Sequence, residues 1–114
     1  MTRWHAGISA RFALFPKHQQ LLMALNELNR AQNMQNVPVE YKRALERCLE
    51  LVDLMSAQPV WRPALYELRR GREMIARLYV APAPLPTLSL QNALLQLDST
   101  AWKMLKKTDR SFAK

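Results

Sequence analysis

The sequence has very little of the residue types that build disulfides, metal sites and phosphate-binding loops. Among its 114 residues are one cysteine, two histidines and two glycines. A single cysteine excludes a disulfide within the chain and favours a reducing compartment. Gly7 and Gly71 are too isolated to form a glycine-rich loop that cradles phosphate. His5 and His18 lack the close partners of a metal site, so the sequence predicts neither a metal nor a cofactor.

Long uninterrupted apolar runs are also lacking. The uncharged stretch between Arg77 and Asp98 is broken by three prolines in residues 82–86, which argues against a membrane span. Residues 1–15 have no long apolar core and no small-residue cleavage site, so we expect no signal peptide. Together with the single cysteine, these features predict a cytoplasmic protein.

The abundant residues are helix formers and basic residues. Leu, Ala, Gln, Arg and Met dominate the chain, and the β-branched residues are sparse. Apolar residues make up 49% of the sequence, which is enough for a core in a chain of this length. Seventeen Lys and Arg against nine Asp and Glu give a net charge of +8. A surplus of this size attracts polyanions.

Four amphipathic stretches, separated by Asn-rich or Pro-rich breaks, predict an all-α fold. We expect a single helical domain over residues 1–114, built as a small bundle of four main helices. The predicted helices cover residues 17–33, 38–55, 63–80 and 90–107. A proline connector, residues 81–87, precedes the last helix. The predicted core contains Leu25, Leu45, Leu51, Leu65, Leu68, Ile75, Leu94 and Leu97.

The N-terminal arm, residues 1–15, mixes arginines with aromatic and aliphatic residues, among them Trp4, Phe12 and Phe15. One interpretation is that its aromatic residues pack into the core of the domain. The other is a basic and aromatic arm that contacts nucleic acid or a membrane surface. Packing is favoured, because aromatic residues near a terminus are most often packing residues.

The stretch from Trp61 to Val80 combines the densest apolar stripe of the chain with five arginines. The spacing of Glu67 to Arg70 and of Glu73 to Arg77 predicts two ion pairs within the helix. These pairs offset only part of the arginine charge. Gly71 costs about 1 kcal/mol relative to Ala inside a helix. Its position on the apolar side predicts close approach of a neighbouring helix, or else a local kink.

The last predicted helix carries a seam at the alternating four- and three-residue spacing of a short coiled coil. The seam consists of Leu90, Leu94, Leu97, Ala101 and Met104. Packing into the domain core is one interpretation of the seam, and a homodimer interface is the other. The aromatic-rich arm, which need not fit one small core, also favours self-association.

No motif assigns the chain to a family or to a class of enzyme. Cys48 lies within an apolar helical stripe, so we interpret it as a buried core residue rather than a nucleophile. No paired carboxylates and no histidine cluster indicate catalysis. We therefore expect no enzymatic activity, no catalytic residues and no small-molecule substrate.

Nucleic acid is the partner that the charge pattern favours. The predicted contact residues are arginines of the third helix and basic residues of the last helix and the tail. They are Arg69, Arg70, Arg72, Arg77, Lys103, Lys106, Lys107 and Arg110. The sequence thus predicts a bacterial-type accessory or regulatory protein that contacts phosphate. The alternative is a protein-interaction module, such as an adaptor or chaperone, with no nucleic-acid role. Arginines left without acidic partners favour the first, and paired arginines or an exposed apolar patch favour the second.

Overall fold

The computed structural model describes the backbone of residues 9–103 and the side chains of residues 11–103, and within this range the fold is entirely helical. The helices are α1 (Ser9–Phe12), α2 (Lys17–Asn33), α3 (Pro38–Ser56), α4 (Leu65–Val80) and α5 (Leu88–Leu95), with a 3₁₀ helix at Pro59–Ala64. This confirms the predicted all-α bundle of four main helices. None of the helices in this range is long and apolar enough to cross a membrane.

Helices α2 and α3 form the central hairpin of the domain. Pro16 precedes α2 and Pro38 begins α3, as the sequence predicts. The two helices bury one apolar face each against the other, and Cys48 lies in this interface with its thiol directed at the Ala24 carbonyl oxygen at 3.5 Å. Burial raises the pKa of the Cys48 thiol well above its ordinary value. The prediction that Cys48 is a core residue is confirmed.

The corner between α3 and α4 is a 3₁₀ helix that carries a fully buried tryptophan. The α-helix itself begins at Leu65, two residues later than predicted. Trp61 Nε1–H donates to Gln20 Oε1 at 2.8 Å. Gln20 Nε2 in turn donates to the carbonyl oxygens of Phe12 and Phe15, at 3.3 and 3.0 Å. One buried amide therefore joins the corner, α2 and the segment before α2.

The proline connector is fixed to the hairpin at two points. The Tyr41 hydroxyl donates to the Leu85 carbonyl oxygen at 2.8 Å. Thr87 donates its hydroxyl to the Leu28 carbonyl oxygen at 2.8 Å and its backbone N–H to Gln32 Oε1 at 2.6 Å. Thr87 stands at the N-cap position of α5, but its side chain makes no capping bond. These hydrogen bonds to α2 and α3 thus fix the path of the connector from α4 to α5.

The predicted continuous helix over residues 90–107 is wrong. Helix α5 ends at Leu95, and a separate helical turn begins after Asp98, whose Oδ1 accepts the Ala101 N–H at 2.9 Å. This is the N-cap geometry that starts a new helix. The seam from Leu90 to Ala101 is therefore interrupted, and Met104 lies outside the described residues. Leu94 and Ala101 of the seam are buried in the core of the domain.

The predicted core is confirmed at six of its eight positions. Leu25, Leu45, Leu51, Leu68, Ile75 and Leu94 are buried. Leu65 and Leu97 are only half-buried, because Leu65 lies in the first turn of α4 and Leu97 in the turn after α5. For the N-terminal arm, the packing interpretation is confirmed at Phe12, which is fully buried and meets the Phe15 ring edge-on at 6.2 Å between ring centroids.

Candidate nucleic-acid interface on helix α4

Helix α4 buries a narrow stripe and exposes a wide one. Leu68, Gly71 and Ile75 form the buried stripe. A Cβ atom added to Gly71 would lie 2.5 Å from Leu94 Cδ2 of α5, so any larger residue at this position would require the Leu94 side chain to shift. This confirms the close approach predicted for Gly71. The tight contact on one side fixes the opposite side of α4 towards solvent.

An open depression of about 460 Å³ lies on the exposed side of α4. Its lining residues follow one side of the helix over about three turns, at spacings of three and four. They are Tyr66, Arg69, Arg70, Glu73, Met74 and Arg77. Three guanidinium groups therefore meet one carboxylate, which leaves the depression with two uncompensated positive charges.

Two of the four predicted arginines have acidic partners. Arg72 forms a two-point contact with the Asp53 carboxylate of α3, with Nη2 3.3 Å from Oδ2. The contact raises the pKa of Arg72, chiefly through the hydrogen bond to Asp53. Arg72 does not line the depression, so its guanidinium ties α4 to α3. Arg77 pairs with Glu73 at 2.9 Å within the helix, as predicted.

The other two arginines, Arg69 and Arg70, have no paired carboxylate within residues 11–103. Arg69 makes no hydrogen bond or ion pair with any described residue. Arg70 Nη1 donates to the Tyr66 hydroxyl at 3.5 Å, and this hydrogen bond is the main reason that the pKa of Arg70 is raised. The predicted pair between Glu67 and Arg70 does not form. Arg69 and Arg70 are exposed and charged, and they lie in the same depression.

Tyr66 is a member of this depression that the sequence analysis did not single out. Its side chain is 68% exposed, which is unusual for an aromatic residue on a well-packed helix. The signal in the sequence was its spacing of four residues before Arg70, which places both side chains on one helix face. An exposed aromatic ring among arginines can stack on a nucleobase while the arginines contact phosphates.

The predicted contacts in the last helix and tail are located only in part. Lys103 is exposed at the end of the described range and does not line the depression. Lys106, Lys107 and Arg110 lie outside the described residues. Residues 11–103 contain twelve basic and eight acidic residues, a net charge of +4, so half of the total of +8 belongs to the rest of the chain.

A second concave surface borders the depression. It is an open groove of about 600 Å³ between α4 and α5, and its walls are mainly apolar. Arg70 and Met74 belong to both the depression and the groove. The groove also contains Glu67, Gly71, Leu78, Pro86, Ser89, Leu90, Ala93, Leu94, Gln96 and Leu97.

The chemistry that these side chains offer is the binding of anions. Within the described residues, no group of three or more His, Cys, Asp or Glu side chains lies together as a metal site would require. Cys48 is fully buried. Arginine suits phosphate because its planar guanidinium group can donate two hydrogen bonds to one phosphate group.

No known protein family matches the chain, and no curated protein or solved structure is significantly similar to it, so the functional interpretation depends on the α4 surface itself.

Proposed function

We propose that this protein binds nucleic acid through phosphate contacts made by Arg69, Arg70 and Arg77 of α4. The observation that carries the proposal is the depression itself, in which three arginines and an exposed tyrosine surround a single carboxylate. The protein would then be a basic accessory or regulatory protein of bacterial type that acts in the cytoplasm. Lys103, Lys106, Lys107 and Arg110 would add to its affinity through their charge.

The Arg77–Glu73 pair is compatible with this role. Its side chains are 67% and 63% exposed, and ion pairs as exposed as this contribute only about 0–1 kcal/mol. A phosphate group can therefore replace Glu73 as the partner of Arg77 at little cost in stability. Arg72 is different, because its two-point contact joins α4 to Asp53 of α3. We assign Arg72 a structural role in holding the arginine face in place.

Binding of this kind should be largely independent of sequence. Phosphate contacts position a protein on nucleic acid but do not read its bases. Helices α3 and α4 do not form a helix-turn-helix, since the 3₁₀ corner Pro59–Ala64 that joins them is longer than the three- or four-residue turn of that motif. Stacking on Tyr66 would favour single-stranded segments, whose bases are accessible.

A nuclear magnetic resonance titration tests where nucleic acid contacts the protein. We expect a short duplex DNA, a single-stranded DNA and an RNA of equal length to shift the backbone amide signals of Tyr66, Arg69, Arg70 and Arg77. The backbone amide signals of exposed α2 residues away from α4, such as Asn26 and Asn29, should not shift. Shifts confined to residues outside α4, or no shifts at low salt with any of the three, would refute the proposal.

The apolar groove between α4 and α5 favours a second candidate function, a protein-interaction module. Concave, mainly apolar surfaces commonly accept a helix from a partner. The pairing of Arg72 and Arg77 with acids points in the same direction, because these charges have partners already. If the titration shows no contact with any nucleic acid, the interaction module becomes the better interpretation of this surface.

A further inference from the structure

The groove between α4 and α5 is an apolar surface that the domain leaves open. Helix α5 directs Leu94 and Leu95 into the core. Leu94 fits against Gly71, so α5 crosses α4 closely at one point. Leu90, Ala93 and Leu97 line the open groove beside that crossing together with Met74 and Leu78 of α4. The turn after Leu95 leaves this end of the groove uncovered by the described chain.

Two side chains on the rim of the groove carry opposite charges. Glu67 and Arg70 are one helical turn apart on α4, and both are exposed. Neither forms an ion pair with any described residue, since Arg70 bonds only the Tyr66 hydroxyl. An acidic partner would be repelled by Glu67, and a basic partner would be repelled by Arg70. A surface that carries both charges is complementary to itself.

We infer that this groove is the interface between two copies of the chain, related by a two-fold axis. In a two-fold pair the same patch meets itself, so a residue that contacts a second residue is contacted by it in return. With the two α4 helices antiparallel, Glu67 of each copy faces Arg70 of the other. Met74 is 42% exposed at the groove, and its flexible thioether can adapt to the surface of the second copy.

This interface is separate from the seam that the sequence indicated. The seam is broken between Leu95 and Asp98, and its members Leu94 and Ala101 are buried within one chain. The inference does not rest on the proposed function. Arg70 lines both the depression and the groove, but Arg69 and Arg77 line only the depression and Ala93 lines only the groove. Variants at Arg69 and Arg77 therefore test nucleic-acid contact, and variants at Ala93 test self-association, independently of each other.

Sedimentation equilibrium of the full chain at 1–300 µM tests the inference, with ~100 mM salt to limit repulsion between the +8 chains. We expect a dimer. Ala93→Lys places a charge at an exposed position inside the groove and should raise the dissociation constant at least about tenfold. Asn92→Lys is the matched control. It introduces the same lysine at the next residue, which is exposed but lines the surface between α5 and α2, and should leave dimerisation unchanged.

Charge reversal tests the orientation of the two copies. Glu67→Arg and Arg70→Glu should each weaken the dimer about tenfold, because each creates like-charge contacts at two symmetric places. The double variant Glu67→Arg/Arg70→Glu should restore the dimer. A monomer throughout the concentration range, a dimer untouched by Ala93→Lys, or a double variant no tighter than the single ones would overturn the inference. Unchanged far-ultraviolet circular dichroism of each variant shows that the fold is intact.

Discussion

Among the described residues, Glu27 is the only charged side chain that is buried. It lies on α2 and is 7% exposed, and its Oε1 accepts no hydrogen bond from any residue that the structure describes. Arg30 lies close by, with its Nε 3.7 Å from Oε1. Burial raises the pKa of Glu27, and the attraction of Arg30 and Arg47 opposes the rise without cancelling it. The ionised carboxylate therefore destabilises the folded state relative to the protonated form.

Replacing Glu27 by Gln should stabilise the protein at pH 7. The folded-state pKa of Glu27 is above its unfolded value, so its favourable contribution is present below the unfolded pKa and is lost as the pH rises through the raised pKa. We expect the variant to gain about 1 kcal/mol in the free energy of unfolding at pH 7. The gain should vanish near pH 4. Urea denaturation at the two pH values measures it.

The control for this experiment is Glu40→Gln, because Glu40 is exposed in a surface pair with Arg43. Its effect should stay within about 0.5 kcal/mol at both pH values. If Glu27→Gln lowers the stability at pH 7, the carboxylate is held by Arg30 and Arg47 more strongly than its burial penalises it, and this interpretation is wrong.

Single residues also show what the sequence could not reveal. Gln20 is a polar residue outside the predicted core, yet it is buried and accepts the Trp61 N–H from 41 residues further along the chain. The partner of Arg72 is Asp53, 19 residues earlier. Both contacts depend on how the 3₁₀ corner folds α4 back onto the hairpin. Helical periodicity describes only neighbours three or four residues apart, so it cannot predict such contacts.

At the scale of elements, α4 connects the core to the candidate site. Its buried residues fix how the helix is rotated about its own axis, and this rotation places the arginines on the exposed side. Leu68 is fully buried in this stripe, whereas Leu65 in the first turn is only half-buried.

Two truncations of α4 test this register. Leu68→Ala should cost about 2–5 kcal/mol because it leaves a cavity in the core. Leu65→Ala removes the same atoms from a half-exposed position and should cost no more than about 1.5 kcal/mol. Chemical denaturation of both variants gives the comparison. Equal losses, or a larger loss for Leu65→Ala, would show that the buried face of α4 is assigned wrongly.

Helix boundaries were predictable where a proline or an Asn-rich segment marks them. Helix α2 follows Pro16 and spans the predicted residues, and α3 starts at Pro38 and extends one residue past the prediction. The break after α5 was missed because apolar spacing continues unchanged from Leu90 to Ala101. Asp98 followed by Ser99 was the available signal, since Asp is a strong N-cap residue. Periodicity alone does not distinguish one helix from two in register.

At the scale of the whole molecule, the sequence predicts the helical architecture and the excess of positive charge. The distribution of that charge depends on the fold, because ion pairs between helices decide which arginines remain available. Arg72 is engaged by α3, while Arg69 and Arg70 have no acidic partner among the described residues. The apolar groove is likewise a property of the assembled helices, since it lies between the sides of α4 and α5.

The central claim, that the arginines of α4 contact phosphates, is tested most directly by the salt dependence of binding. On duplex DNA the logarithm of the association constant should fall linearly with the logarithm of salt concentration, by about 0.9 per phosphate neutralised. The variant Arg69→Gln/Arg77→Gln should bind more weakly and show a slope smaller by about 1.8. Lys42→Gln/Arg43→Gln makes the same change in net charge on α3, outside the depression, and should keep the slope of the unmodified protein within error. Equal slopes for both double variants, or no binding at ~50 mM salt, would contradict the claim.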